Sequence, residues 1–219
     1  MKQLLIFDFD GLILDTETPD YLAWQKVFQE HGAELPMDVW ARGVGAGSSV
    51  VDLYDALERQ LNRTVARDRL TESRRSHFYD LLAKEHPRPG VEDYLVEAGC
   101  LGLQCAVASS ADRAWVNGHL QRLGLIHHFK VVCTREDVAQ AKPAPDLFLA
   151  ALSACGIASD KAIVFEDSPN GLLAARRAGI YAVAVPNPVT IRLSLEADKV
   201  LNSLADLPLS ELLAGFGRH

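Results

Sequence analysis

The sequence lacks the features that would place the protein on a nucleic acid or in a membrane. Its 219 residues carry 22 Lys and Arg against 29 Asp and Glu, a formal net charge of -7. Broad binding to nucleic acid or anionic lipid needs a basic surface, so neither partner is expected. No apolar run approaches the roughly 18 residues of a membrane span. The apolar start, residues 4–7, is shorter than the roughly 7–15 residues of a signal-peptide core, which predicts a cytoplasmic protein.

Cysteine motifs and low-complexity tracts are also lacking. The four cysteines form no Cys-x-x-Cys pair, and no His pair follows them at the spacing of a zinc site. We therefore expect reduced, buried thiols. Hydrophobic residues make up 48% of the chain and charged residues 23%, the balance of a globular protein with a substantial core.

Short apolar runs bounded by turn residues predict five buried strands. They cover residues 4–9, 103–108, 130–133, 162–165 and 181–185. Helical segments separate the later strands, at residues 112–123, 145–155 and 169–178, the last with Ser168 as its N-cap. Strands that alternate with helices of this length predict an α/β fold with a parallel sheet covered on both faces.

Residues 15–87 interrupt this alternation. They contain no convincing strand but three helical segments, at residues 18–31, 50–61 and 67–85. The sequence predicts a core of residues 1–14 and 88–219, with a helical cap domain of residues 15–87 inserted after the first strand. Ligands of open α/β sheets bind beyond the carboxyl ends of the strands, so this insertion is expected to cover the site.

Polar residues stand where the predicted strands end. The first strand ends in Asp8-Phe9-Asp10-Gly11, the second in Ser109-Ser110 and the fourth in Glu166-Asp167-Ser168, while Lys142-Pro143 follows the third. Because the carboxyl ends of parallel strands share one edge of a sheet, we expect four carboxylates, hydroxyls and one lysine to converge there.

Four carboxylates cannot all stay ionised in one crevice without a cation. Oxygen ligands without His or Cys suit Mg²⁺ and argue against zinc. Asp8, Glu166 and Asp167 are the expected side-chain ligands, and a backbone carbonyl can add another. A small anionic substrate, such as a phosphate ester, would complete the coordination.

The same residues predict a phosphoryl-transfer mechanism. A carboxylate beside Mg²⁺ can attack a phosphoryl group and form an aspartyl-phosphate. Residues i and i+2 of a strand share a face, so Asp8 and Asp10 supply one nucleophile and one general acid/base. Ser109 and Lys142 would bind the transferring oxygens, with Ser110 as a weaker candidate.

At this point the sequence resembles a family. Residues 8–17, Asp-Phe-Asp-Gly-Leu-Ile-Leu-Asp-Thr-Glu, resemble motif one of the haloacid dehalogenase superfamily, in the branch of aspartyl phosphatases and β-phosphoglucomutases. Ser109 matches motif two, Lys142 motif three and the pair Glu166-Asp167 motif four, in the family's order. The resemblance covers nearly the whole chain. Asp10 separates it from dehalogenases and phosphonatases, which lack that second aspartate.

The resemblance implies a Rossmann-like core with a small helical cap of the C1 type. It implies Asp8 as the nucleophile, Asp10 as the general acid/base, and Ser109 and Lys142 as phosphate ligands. It also implies Mg²⁺ on Asp8, Asp167 and the backbone carbonyl of Asp10, with Glu166 assisting. The leading hypothesis is a Mg²⁺-dependent phosphatase of a small phosphorylated metabolite, acting as a monomer or weak dimer.

Two other functions remain open. A β-phosphoglucomutase shares every core motif but needs a second phosphate anchor, which that branch supplies with an Arg after a glycine turn. Here the turn at residues 43–47 is followed by Ser48-Ser49, which leaves Arg74 or Arg75 for that role. A phospho-accepting receiver-like signalling module is a more remote alternative, because its phosphorylated Asp ends the third strand, where this chain has Cys133-Thr134.

Three residues of the insertion have structural roles in this interpretation. Asp15 is expected to hold the linker by bonding neighbouring backbone, as Asp does in turns. Trp24 and Phe28 are four residues apart, so they share a helical face and are expected in the core of the cap.

Overall fold

A computed structural model describes residues 1–41 and 52–216. The glycine turn at residues 43–47 and the start of the helix predicted at 50–61 lie outside these described residues. Six parallel strands form one sheet in the order β3-β2-β1-β4-β5-β6. They are β1 (Leu4–Phe7), β2 (Gln104–Ala108), β3 (Val131–Cys133), β4 (Ala162–Glu166), β5 (Tyr181–Ala184) and β6 (Lys199–Val200).

This strand order is that of a Rossmann-like sheet. The chain runs outward from β1 through β2 to β3, then returns to the other side of β1 with β4. The order reverses between β1 and β4, and open α/β sheets bind their ligands at such a switch point. Receiver domains instead use the order 2-1-3-4-5. The predicted α/β fold is therefore confirmed, and the sheet differs from that of a receiver.

All five predicted strands are confirmed within two residues of their ends, and so are the three core helices. The helices are α1 (Glu17–Glu30), α2 (Met37–Ala41), α3 (Leu53–Leu61), α4 (Arg67–Leu82), α5 (Val91–Cys100), α6 (Arg113–Arg122), α7 (Asp146–Cys155), α8 (Pro169–Arg177) and α9 (Leu209–Ala214). Sequence patterning missed α2, α5, α9 and the short edge strand β6. No helix among the described residues is both long and apolar enough to span a bilayer.

The two faces of the sheet carry different side chains because alternate residues of a strand point to opposite sides. Leu5 and Phe7 lie on one face of the sheet, beside large side chains of β4 and β5. Helices α5, α6 and α9 cover this face. Leu4 and Ile6 pack on the other face, under α7 and α8. That second face is rich in alanine, at positions 106, 108, 162, 182 and 184.

Helices α1 to α4 lie between β1 and α5 and bury a cluster of their own. Trp24 and Phe28 belong to it, as predicted. The chain leaves and returns to the sheet at one place, because Leu14 pairs with Pro87 and the N–H of Arg88 donates to the carbonyl of Ile13 at 2.9 Å. The domain boundaries given above, with residues 15–87 as a cap, stay a prediction.

Candidate active site

A cavity of about 240 Å³ opens at the carboxyl edge of the sheet, beside the switch point between β1 and β4. The structure brings together there every residue that the sequence proposed for the site. Its lining consists of Asp8, Asp10, Glu17, Ser109, Ser110, Ala111, Lys142, Glu166, Asp167, Ser168, Asn170 and Thr190. The catalytic and binding roles of these residues remain predictions, and the contacts below indicate what each can do.

Asp8, Lys142 and Glu166 form a buried charged group. The backbone N–H of Asp8 donates to the carbonyl of Phe165 at 3.0 Å, so the register of β1 and β4 continues and sets Asp8 beside Glu166. The Lys142 ammonium pairs with the Asp8 carboxylate and lies 2.6 Å from Oε1 of Glu166. One cation thus bridges two carboxylates and holds them in fixed positions.

Glu166 is held on all sides. Its Oε2 accepts from the backbone N–H groups of Asp167 at 2.9 Å and Ser168 at 3.0 Å, and from the Ser168 hydroxyl at 3.0 Å. Ser168 also caps α8, as predicted, by accepting from the N–H of Gly171 at 3.1 Å. Since Lys142 takes Oε1, the contacts of Glu166 are those of a residue that anchors the lysine and the start of α8.

Gly171 leaves the room that Glu166 occupies. A Cβ at Gly171 would lie 1.7 Å from Oε1 and 1.9 Å from Cδ of Glu166, far inside contact distance. Gly171→Ala is therefore expected to displace Glu166 and Lys142, to lower the free energy of unfolding by about 1–3 kcal/mol and to lower turnover about 10-fold or more. Denaturant unfolding and steady-state kinetics measure both effects.

Gly118 provides a matched control, because it lies within α6 and a Cβ there meets nothing within 4 Å. Gly118→Ala is expected to raise the free energy of unfolding by about 0.5–1 kcal/mol, since alanine favours a helix over glycine. Equal effects of the two substitutions would contradict the steric argument.

Asp167 is fixed by a residue from beyond β5. Nδ2 of Asn187 donates to Oδ2 of Asp167 at 2.7 Å, while Oδ1 of Asn187 accepts from the N–H groups of Val189 and Thr190, both at 2.9 Å. Gly11 passes close to this pair with φ +81°, and a Cβ there would lie 2.3 Å from Oδ2 of Asp167. Only glycine satisfies both the left-handed backbone and the close approach, and it lets the chain turn sharply directly after Asp10.

Asp10 faces a different set of partners. The indole Nε1 of Trp115 donates to its Oδ1 at 2.8 Å, and the Ser109 hydroxyl lies 3.4 Å from its Oδ2. The hydroxyl of Ser109 also accepts from the N–H of Ala111 at 3.0 Å. Ser110 lines the same cavity but is exposed. The Asp10 carboxyl therefore has hydrogen-bond partners other than those of the Lys142 group.

Burial changes the ionisation of the site. Burial raises the pKa of Asp8 to about 8, with Glu166 acting in the same direction and Lys142 opposing it. Burial also raises the pKa of Asp167, and the neighbouring Glu166 and Asp8 carboxylates add to this. Burial lowers the pKa of Lys142, but the Asp8 and Glu166 carboxylates raise it more, so the lysine stays charged. The group carries more carboxylates than its one cation neutralises.

The donor set suits a hard divalent cation. Asp8, Glu166 and Asp167 each offer a carboxylate oxygen, and these oxygens lie within 4.8 Å of one another. The three residues are only 6%, 0% and 2% exposed, so water does little to offset their mutual repulsion. An all-oxygen set with excess negative charge fits Mg²⁺.

The inserted helices contribute charged residues near the cavity. Glu17, the first residue of α1, lines it, and burial raises its pKa to about 8, with Asp20 adding to the shift. The Asp15 carboxylate accepts from the Thr18 N–H at 2.9 Å and from its hydroxyl at 2.7 Å, which is the linker role predicted for it.

The arginines of α4 differ from one another. Arg74, one of the two candidates for a second phosphate anchor, pairs with Asp20 and lies over the rings of Trp24 and Phe78. Arg75 is exposed, with its guanidinium 5.6 Å from the centre of the Tyr79 ring.

Sequence reasoning missed Trp115, Asn187, Gly171 and Glu17 as parts of the site. A signal existed for Asn187, because it stands three residues beyond β5 and reading that strand end like the others would have found it. Glu17 lies inside motif one. Trp115 and Gly171 carried no signal, since each reaches the site from within a helix and only packing brings it there.

The sheet and the cavity together define a class of protein, an α/β fold with a cluster of buried carboxylates at its topological switch point. The family model of the haloacid dehalogenase-like hydrolases matches residues 5–185. YhcW of Bacillus subtilis (strain 168), which is provisionally named a phosphatase, is 44% identical over 214 residues, 97% of each chain.

A second relative and a solved structure are also similar to this chain. The fructose-1-phosphate phosphatase YqaB of Escherichia coli (strain K12) is 35% identical over 187 residues, 83% of this chain and 95% of that protein. The crystal structure of CbbY from Rhodobacter sphaeroides in complex with phosphate has a TM-score of 0.69 at 26% identity, covering 97% of this chain and 99% of that one. The chain belongs to the haloacid dehalogenase-like hydrolases, among the phosphatases of that family.

Proposed function

We propose that the protein is a Mg²⁺-dependent phosphatase that hydrolyses a small phosphorylated metabolite through an aspartyl-phosphate on Asp8. The observation that carries the proposal is the buried group in which Lys142 pairs with Asp8 at the switch point of the sheet. A carboxylate that is held and charge-paired in this way is a preorganised nucleophile. Asp8, Asp167 and the carbonyl of Asp10 would hold the cation, with Glu166 assisting, and the bound cation neutralises charge on the phosphoryl oxygens.

The first half of the reaction transfers the phosphoryl group to the enzyme. A carboxylate oxygen of Asp8 attacks phosphorus, and the bond from phosphorus to the ester oxygen breaks. Asp10 donates its proton to the departing oxygen, so an alcohol leaves. Burial raises the pKa of Asp10, and this favours the protonated carboxyl that the step requires. Hydrogen bonds act against the shift, the one from Trp115 most strongly. Lys142 and Ser109 bind the transferring oxygens.

The second half returns the enzyme to its starting state. Asp10, now a carboxylate, takes a proton from a water molecule as that water attacks phosphorus. The bond between phosphorus and Asp8 breaks, inorganic phosphate leaves, and the Asp8 carboxylate is restored. The same residue thus acts as an acid and then as a base, which keeps the proton count balanced over the cycle.

The substrate class that we propose is supported by a relative and by a residue of α1 that lines the cavity. YqaB is named for a sugar phosphate, fructose 1-phosphate, and a sugar monophosphate is the class we propose here. We further propose that residues 15–87 act as a cap that selects the alcohol part of the substrate. Glu17 places a carboxyl in the cavity, where it suits hydroxyl groups better than a second phosphate.

A panel of phosphorylated metabolites, read by release of inorganic phosphate with Mg²⁺ present, tests this function. The panel should contain sugar monophosphates, phosphoglycolate, glycerol phosphates and nucleotides, with p-nitrophenyl phosphate as a general substrate. We expect turnover of p-nitrophenyl phosphate and preference for a sugar monophosphate. Failure to release phosphate in excess over enzyme from every compound would contradict the proposal.

The mutase alternative is separated by its product. A mutase must grip the phosphate that is not reacting, and on α4 Arg74 is already paired with Asp20 while Arg75 lies at the surface on Tyr79. With β-glucose 1-phosphate and catalytic β-glucose 1,6-bisphosphate, we expect inorganic phosphate to form faster than glucose 6-phosphate.

A coupled assay for glucose 6-phosphate beside a phosphate assay measures the ratio. Faster formation of glucose 6-phosphate would reverse the assignment. In that case Arg75→Ala should abolish isomerisation while sparing hydrolysis of p-nitrophenyl phosphate, which has no second phosphate to hold.

A further inference from the structure

We propose that Trp115 is a positioning residue that orients the carboxyl of Asp10 and ties it to helix α4. This proposal rests on the function proposed above, in which Asp10 is the general acid/base. Trp115 lies near the start of α6, where the Asp112 carboxylate caps the helix by accepting from the Trp115 N–H at 2.8 Å. Its backbone is therefore fixed at the edge of the cavity.

The indole nitrogen determines which oxygen of Asp10 can carry a proton. Nε1 of Trp115 is a donor only, and it lies 2.8 Å from Oδ1 of Asp10. A proton on Oδ1 would face that donor, which cannot accept. The acid form therefore keeps this hydrogen bond only with its proton on Oδ2, where the Ser109 hydroxyl, which donates to the carboxylate, turns to accept. Oδ2 is the oxygen beside the Ser109 hydroxyl, at 3.4 Å, on the side of the phosphate ligands. The hydrogen bond thus presents the proton to the departing oxygen.

The other surface of the same ring belongs to the inserted helices. Trp115 stacks on Phe78 of α4, with ring centres 6.1 Å apart and planes 14° apart. Tyr79 lies 6.4 Å away, and His119 packs edge-on at 4.3 Å. One side chain therefore touches both the candidate acid/base and the helix that carries Arg74 and Arg75. The position of α4 and the orientation of Asp10 are linked through this ring.

The leaving group provides the test. An alkyl phosphate releases a strongly basic alkoxide that needs a proton from Asp10, whereas p-nitrophenyl phosphate releases a stable phenolate that does not. Because kcat/KM covers the steps up to departure of the alcohol, loss of positioning should lower it for an alkyl phosphate alone. A loss of folding or of phosphate binding would lower it for both substrates.

Trp115→Phe keeps an aromatic ring against Phe78 and removes the N–H donor. We expect kcat/KM to fall about 10- to 100-fold for the best sugar monophosphate of the panel and less than about 3-fold for p-nitrophenyl phosphate. Trp24→Phe is the matched control, because Trp24 packs in the cluster of the inserted helices. It should leave the ratio of the two kcat/KM values unchanged.

Phe78→Leu tests the link to α4 with the donor intact. We expect kcat/KM for the sugar monophosphate to fall about 3-fold or more relative to that for p-nitrophenyl phosphate, a smaller change than in Trp115→Phe. The reason is that the ring of Trp115 loses its stacking partner. Equal losses on both substrates, or no loss, in Trp115→Phe would overturn the proposal, and an unchanged ratio in Phe78→Leu would overturn the link to α4. A wild-type enzyme that turns over neither substrate would instead overturn the proposed function itself.

Discussion

Asp8→Asn is expected to lower turnover of p-nitrophenyl phosphate at least about 1,000-fold while the fold persists. The amide is nearly the same shape as the carboxylate, but it cannot attack phosphorus and it binds a cation poorly. The Lys142 ammonium keeps its contact with Glu166 at 2.6 Å, so the substitution leaves no buried cation without a partner. Removing one of three crowded carboxylates should leave stability unchanged or raise it.

Steady-state kinetics and thermal unfolding of the same preparation test this expectation. Asp80→Asn is the matched control, since Asp80 is exposed on α4 and lies outside the cavity lining. It should retain full activity. If Asp8→Asn kept more than a tenth of the wild-type rate, Asp8 would not be the nucleophile and the mechanism would be wrong.

Removing divalent cations is expected to abolish activity, and adding Mg²⁺ to restore it. Asp8, Glu166 and Asp167 present oxygens within 4.8 Å of one another, and their mutual repulsion is relieved by a bound cation. Ca²⁺ should restore activity poorly, because its longer bonds and higher coordination number misplace the nucleophile relative to phosphorus. Assays in chelator, followed by titration with each cation, measure the effect.

Binding of Mg²⁺ can be measured apart from activity. A ligand that binds the folded state raises the temperature of unfolding, so Mg²⁺ should stabilise the wild-type protein. Asp167→Asn should remove most of this shift, whereas Ser109→Ala should leave most of it, because Ser109 contributes no carboxylate to the cluster. Full activity in chelator, or equal shifts in the two variants, would contradict the metal site.

The sequence predicted the elements whose signal is local. Apolar runs and turn residues located five strands, and the carboxyl-edge rule brought Asp8, Ser109, Lys142 and Asp167 to one cavity without any knowledge of the fold. The strand β6 was missed because it has two residues at the edge of the sheet, with Val200 exposed. A run that short carries no detectable period.

What the sequence could not predict depends on which helix faces packed against the site. Trp115 has the spacing of an ordinary helix residue, and its role depends on the distance of its indole nitrogen from Asp10. The same holds for Gly171, because the Glu166 carboxylate occupies the space that a side chain at Gly171 would fill. Arg74 likewise carried no signal of its partners, which are Asp20 and two aromatic rings. Such contacts join residues far apart in the sequence, so the spacing of residue types along the chain does not predict them.

The pairing of Leu14 with Pro87 also bears on how such a protein changes over time. This pairing joins the place where the chain leaves the sheet to the place where it returns. Arg88 strengthens the junction by donating to the carbonyls of Gly11, Val185 and Pro186. Because these contacts hold both ends of the segment, we expect changes within its helices to leave the strand register that sets the carboxylates in place. Selection for a new substrate can therefore act on this segment without moving the strands that carry the carboxylates, as long as the contact of Phe78 with Trp115 is kept.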